Sequence, residues 1–135
     1  MKKVFFIFVV LLCILFGGCE NKSPFMIFSS QPVTRENIQY FARAFKVGQK
    51  VHFAIVYPRG LQKGIYRALL MKKDDKSEFY GYSYYRTFDF KVDKDETYYL
   101  SDELVIHEKG WYALEFFNMK NKDRMLLIGD FWVKE

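Results

Sequence analysis

Cysteine is scarce and poorly placed for cross-linking: Cys13 and Cys19 both fall within the first 19 residues, and no thiol follows them. Whatever folds after Cys19 must hold together without a disulfide, and it offers neither a cysteine nucleophile nor a thiolate metal site. Histidine is equally sparse. His52 and His107 occur singly, at no spacing that pairs metal ligands, and read as surface or half-buried side chains. There is no glycine-rich phosphate loop. Ser29, Ser30, Ser77, Ser83 and Ser101 lie in no Gly-x-Ser-x-Gly setting. The acidic pairs Asp74–Asp75 and Asp102–Glu103 are adjacent in sequence, and adjacent side chains of extended chain point apart. These absences predict a chain that is not an enzyme and carries no metal or small-molecule cofactor.

What is present begins at the amino end. The stretch Met1 to Cys19 reads MKKVFFIFVVLLCILFGGC, with Lys2 and Lys3 ahead of an uncharged run from Val4 to Phe16. That run of 13 residues suits the hydrophobic region of an export signal and falls short of the roughly 20 that a membrane-spanning helix needs. Gly17 and Gly18 do not favour continued helix and leave the backbone open to a peptidase, so cleavage is expected between Gly18 and Cys19. Residues 1–18 are then a signal peptide, 19–24 a tether, and 25–135 the folded domain. Loss of Lys2 and Lys3 lowers the net charge from +5 to 5 − 2 = +3. So mild a basicity, without a concentrated basic stripe, excludes nucleic acid as the expected partner.

Leu15, Phe16, Gly17, Gly18 and Cys19 resemble the lipobox of bacterial lipoproteins, in which an apolar residue and small residues precede a cysteine. The resemblance implies that the Cys19 thiol carries a diacylglycerol and that Cys19 becomes the acylated first residue after cleavage. Phe16 departs from the usual Leu, Val or Ile, which leaves open a looser lipobox or an ordinary signal cut elsewhere. Acyl chains contribute about 0.8 kcal/mol per buried methylene, so more than one chain anchors a protein stably to a membrane. The expected location is the exported side of the cell envelope, inner or outer membrane unresolved, with a covalent palmitate-type lipid as the only attached group.

The remainder reads as strands separated by turns. Phe25–Phe28 suits a first edge strand. The segment Thr34 to Val47 is ambiguous: Ile38, Phe41, Ala42 and Phe45 fall at helical spacing, yet the turn-like Val47–Lys50 favours a strand. Val51–Tyr57 is apolar on both faces and reads as a central strand ended by Pro58, Arg59 and Gly60. Further strands are expected at Ile65–Met71, within Glu78–Val92, one or two at Tyr98–Ile106, at Trp111–Asn118 and at Met125–Lys134, the last two joined by a Met119–Arg124 hairpin loop. Tyr80, Tyr82 and Tyr84 alternate within Glu78–Val92, and packing within a sandwich is their expected fate. The run Glu108-Lys109-Gly110-Trp111-Tyr112 is similar to the tyrosine corner of immunoglobulin-like domains, and the resemblance assigns that role to Tyr112. The family's cysteine pair and its third-strand tryptophan are missing. The fold expected is all-β: an immunoglobulin-like antiparallel β-sandwich of about seven strands.

If Tyr112, Leu114 and Phe116 face the core, Trp111, Ala113, Glu115 and Phe117 face outward. In the final strand Ile128, Asp130 and Trp132 do the same, beside Leu126. Trp111, Phe117, Ile128 and Trp132 would then form one outer apolar patch, which is either covered by residues 25–47 or used for binding. Three uses fit: docking another envelope protein, stacking on a cell-wall or host glycan, or a protease inhibitor presenting a loop such as Pro58–Gly64. Cys19→Ala is expected to abolish both incorporation of a palmitate analogue and retention in the membrane fraction, measured by labelling and fractionation of intact cells.

Overall fold

In the computed structural model the described residues are 23–34, 36–37, 41–73 and 81–135. The export segment, Gly18, Cys19, Ile38 and Tyr80 lie outside them. Among the described residues there are eight strands: β1 (Phe25–Ser29), β2 (Ala44–Lys46), β3 (Lys50–Leu61), β4 (Gly64–Lys73), β5 (Tyr82–Val92), β6 (Thr97–Val105), β7 (Gly110–Asn118) and β8 (Met125–Lys134). They form two layers, a three-stranded sheet β1-β3-β6 and a five-stranded sheet β2-β8-β7-β4-β5. The all-β sandwich expected from the strand pattern is the fold observed.

The core lies between the layers and follows the two-residue period of the strands. Val51, Phe53 and Ile55 enter it from β3; Tyr66, Ala68 and Leu70 from β4; Tyr112, Leu114 and Phe116 from β7; Phe131 and Val133 from β8. Aromatic rings make the contact from sheet to sheet. Phe28 meets Phe131 at 4.8 Å between centroids, Phe53 meets Phe88 at 5.2 Å, and Tyr57 meets Phe116 at 6.1 Å. Each pair lies within the separation at which rings attract beyond their buried area.

Two tyrosines tie loops to this core. The Tyr112 hydroxyl donates to the Glu108 carbonyl at 2.7 Å, which is the corner expected of Gly110-Trp111-Tyr112. Burial beneath Tyr85, with the Glu108 charge nearby, pushes the Tyr112 hydroxyl far above its ordinary range, so it remains a donor. Tyr66 makes the same bond to Gln62, at 2.9 Å, from a second Gly-x-Tyr sequence at Gly64. That second corner carries the same local signal, Gly64-Ile65-Tyr66, as the first.

Several elements differ from expectation. Among the described residues, the segment before β3 forms a strand at Ala44–Lys46 only. Thr34 caps a turn, its hydroxyl accepting from the Asn37 N–H, and Phe41 is exposed while Phe45 is buried. The three-residue strand runs parallel to β8, and Phe41 bridges to Ser29, so residues 41–46 pass from one sheet to the other. Pro58 and Gly60 do not end β3. The strand continues to Leu61 through a register shift, with Gly60 at φ 81°, where a Cβ would lie 2.9 Å from the Glu96 Cα. Only Gln62 and Lys63 then separate β3 from β4, and Leu61 is buried, so Pro58–Gly64 is not a projecting inhibitor loop. Residues Thr97–Val105 form one unbroken strand. In β5 a register shift opposite Leu70 and Met71 sends Tyr85 inward against Tyr112 and leaves Tyr84 63% exposed, while Tyr82 lies against Trp111, so these two tyrosines of the row do not pack inside the sandwich. Leu126, expected on the outer face, packs against the core together with Leu127.

The open side of the sandwich closes where β1 approaches β8. A Cβ on Gly129 would lie 2.9 Å from both the Met26 sulfur and the Phe28 ring. Because Phe28 is buried against Phe131, the ring cannot swing away cheaply. Gly129→Ala is therefore expected to destabilise the fold by about 1–3 kcal/mol through overpacking, read as a lowered urea midpoint with unchanged slope.

Candidate functional site

The outer face of the five-stranded sheet is set by the alternation that fills the core. With Tyr112, Leu114 and Phe116 inward, β7 presents Trp111, Ala113, Glu115 and Phe117 outward. Cross-strand pairing then lays out rows. Trp111 lies opposite Trp132 on β8; Ala113 lies between Met71 and Asp130; Glu115 between Leu69 and Ile128; Phe117 between Arg67 and Met125. The four residues expected to form a patch do share this face. Trp132 and Ile128 are about half exposed, at 49% and 50%, and Trp111 and Phe117 are half-buried. The described residues of the segment before β3 extend the sheet edge through β2 and do not lie across the face, while β1 belongs to the other sheet.

The first row is the most constrained. The two indole rings stack at 5.6 Å with planes 12° apart. The Trp111 Nε1–H donates to Asp130 Oδ2 at 3.0 Å, and Asp130 Oδ1 accepts from Arg43 at 3.2 Å. The Lys73 ammonium sits 4.9 Å above the Trp111 ring, and Tyr82 closes the row at 6.3 Å. A cation over an indole face is attracted by the ring quadrupole, so Lys73 and Asp130 fix Trp111 from two sides. Trp111 in turn supports Trp132, which is held in place while much of its surface meets solvent.

Charges elsewhere on the face are mostly paired. Arg67 forks onto Asp89 at 2.7 and 3.1 Å, which lowers the Asp89 pKa and raises that of Arg67. Glu115 differs. It makes no hydrogen bond or ion pair among the described residues, and its row neighbours are Leu69 and Ile128. Desolvation by these apolar neighbours raises its pKa above the ordinary carboxylate value.

The other layer carries a small hollow of about 280 Å³ lined by Val33, His52, Tyr99, Ser101, Asp102 and Glu103. His52 Nδ1 lies 3.5 Å from Glu103 Oε2, outside the core as expected, but no hydrogen bond joins Ser101 to His52. Among the described residues no three His, Cys, Asp or Glu side chains converge on a metal-sized site.

No known family model matches the sequence, and no curated protein matches it. In outline the chain is similar to a superoxide reductase (neelaredoxin) from Ignicoccus hospitalis, with 9% identity over 83% of this chain and 80% of that one and a TM-score of 0.46. It is similar also to the CARDB domain of a Pyrococcus furiosus protein in complex with di-metal ions, with 9% identity, 83% and 86% coverage and a TM-score of 0.45. A β-glucosidase from Listeria innocua in complex with glucose matches at 10% identity and a TM-score of 0.45, over 85% of this chain but 16% of that one.

An ionised Glu115 costs the fold stability, because its folded-state pKa lies above the unfolded value. The cost is fully present above the folded pKa, shrinks as pH falls from that value to the unfolded one, and is gone below both. Glu115→Gln is expected to raise the unfolding temperature at pH 7, with the gain shrinking towards pH 4 in parallel thermal melts.

Proposed function

We propose that the protein is an exported, non-catalytic binding or assembly module, held to a membrane of the cell envelope by lipid on Cys19, that docks another envelope protein through the outer face of its five-stranded sheet. The observation that carries this reading is the braced tryptophan pair. Trp132 is 49% exposed yet lies stacked on an indole that Asp130 and Lys73 hold in place. A rigid aromatic anchor loses little side-chain entropy on docking, and tryptophan is among the residues that dominate interface energetics. Ile128, Met125 and Phe117 extend apolar surface along the same face, more than scattered exposure requires. The lipobox-like Leu15–Cys19 supports the membrane tether.

Trp132→Ala is expected to weaken capture of the partner roughly 30-fold, the scale of an interface anchor, while the far-ultraviolet spectrum and cooperative unfolding persist. The measurement is a quantitative pulldown from envelope extract, beside sedimentation with purified cell wall. Unchanged capture by a folded variant sinks the reading, and cell-wall sedimentation lost in Trp132→Ala would move the assignment to glycan.

A further inference from the structure

Resting on that reading, the chemistry of the partner can be drawn from the one carboxylate of the face that has no counterpart among the described residues. Arg67 is committed to Asp89, Arg43 to Asp130, and Lys73 to the Trp111 ring. Lys46 and Lys134, two cations side by side in register, lie beyond Trp132 at the far end of the sheet from Glu115. Glu115 remains, set between Leu69 and Ile128, with Ala113 and Phe117 before and after it on β7. It forms no hydrogen bond or ion pair among the described residues, although its surroundings already remove part of its water.

A surface covering Ile128 and Phe117 would strip the rest of that water. An unpaired carboxylate in such a place is costly, whereas one met by a cation gains a charge-assisted bond in a medium where it is strong. An anionic headgroup or phosphate laid on the face would meet Glu115 with like charge. A second copy docked face to face about an axis near Glu115 would set two carboxylates together. Glu115 lies four residues from Trp111 along β7, about 13 Å at the rise of an extended strand. We infer that the outer face docks a protein that presents an arginine or lysine to Glu115, roughly 13 Å along the strand direction from the group it lays over Trp132.

The test places the photocrosslinker p-benzoylphenylalanine at position 128, beside Glu115, in the full chain in intact cells. The expected product is one protein adduct whose crosslinked region carries an arginine or lysine. Glu115→Gln should lower the affinity of the purified pair roughly 30-fold without lowering the unfolding temperature. Glu115→Arg should abolish the adduct, and replacing the partner's cation by glutamate should restore it. If Trp132→Ala removes the adduct while both Glu115 variants leave it intact, docking stands and the cation inference falls. An adduct with lipid, glycan or a second copy overturns the inference, and no adduct at any position on the face overturns docking as well.

Discussion

The contact of Phe28 with Phe131, made possible by the bare backbone of Gly129, is the constraint on which the structure depends. No disulfide joins the two sheets, so ring-to-ring packing must hold the layers at one separation. Sandwich layers stand about 10 Å apart, and interdigitated side chains fill that gap at the density of an organic crystal. At the seam between β1 and β8 the gap narrows, and a side chain at position 129 would force it open. Closing the seam brings residues 41–46 across from β1 to β8: the Ala42 N–H donates to the Phe28 carbonyl, and the Trp132 N–H donates to that of Arg43. The same crossing delivers Arg43 to Asp130, and Asp130 to the Trp111 indole. Core packing on one side of the sheet thus sets the geometry of the face on the other.

How much of this was legible in the sequence depended on the range of the signal. The β7–β8 hairpin was readable because two long alternating runs flank a polar turn, and its four outward residues followed from a two-residue period anchored by Tyr112. The tyrosine corner was readable for the same local reason. The segment before β3 was not, because Phe41 and Phe45 lie four apart and satisfy both periods, and only the crossing between sheets decides that one is exposed and the other buried. Nor was the face of Tyr84 and Tyr85. A single inserted residue in β5 exchanges inside for outside, and an insertion of that kind leaves no mark in alternation until its partner strand is known. Pro58 and Gly60 look like a stop, yet β3 tolerates them where its ladder to β6 is already interrupted. Glu115 was visible among the apolar residues of the patch. Its isolation was not, since that depends on where Arg43, Arg67 and Lys73 spend their charges.

The second Gly-x-Tyr, at Gly64, adds a property of the whole face. Tyr66 and Tyr112 stand at the starts of β4 and β7, neighbours that run antiparallel, so their hydroxyl bonds fasten opposite ends of one ladder. Sheets ordinarily open by fraying, one terminal rung after another, because the last pair has a neighbour on only one side. With a corner at each end, this ladder has no loose end from which to peel. Tying down both end rungs favours opening of the ladder as a unit over fraying, and the spacing between Trp111, Glu115 and Phe117 is set by backbone register between two fastened ends.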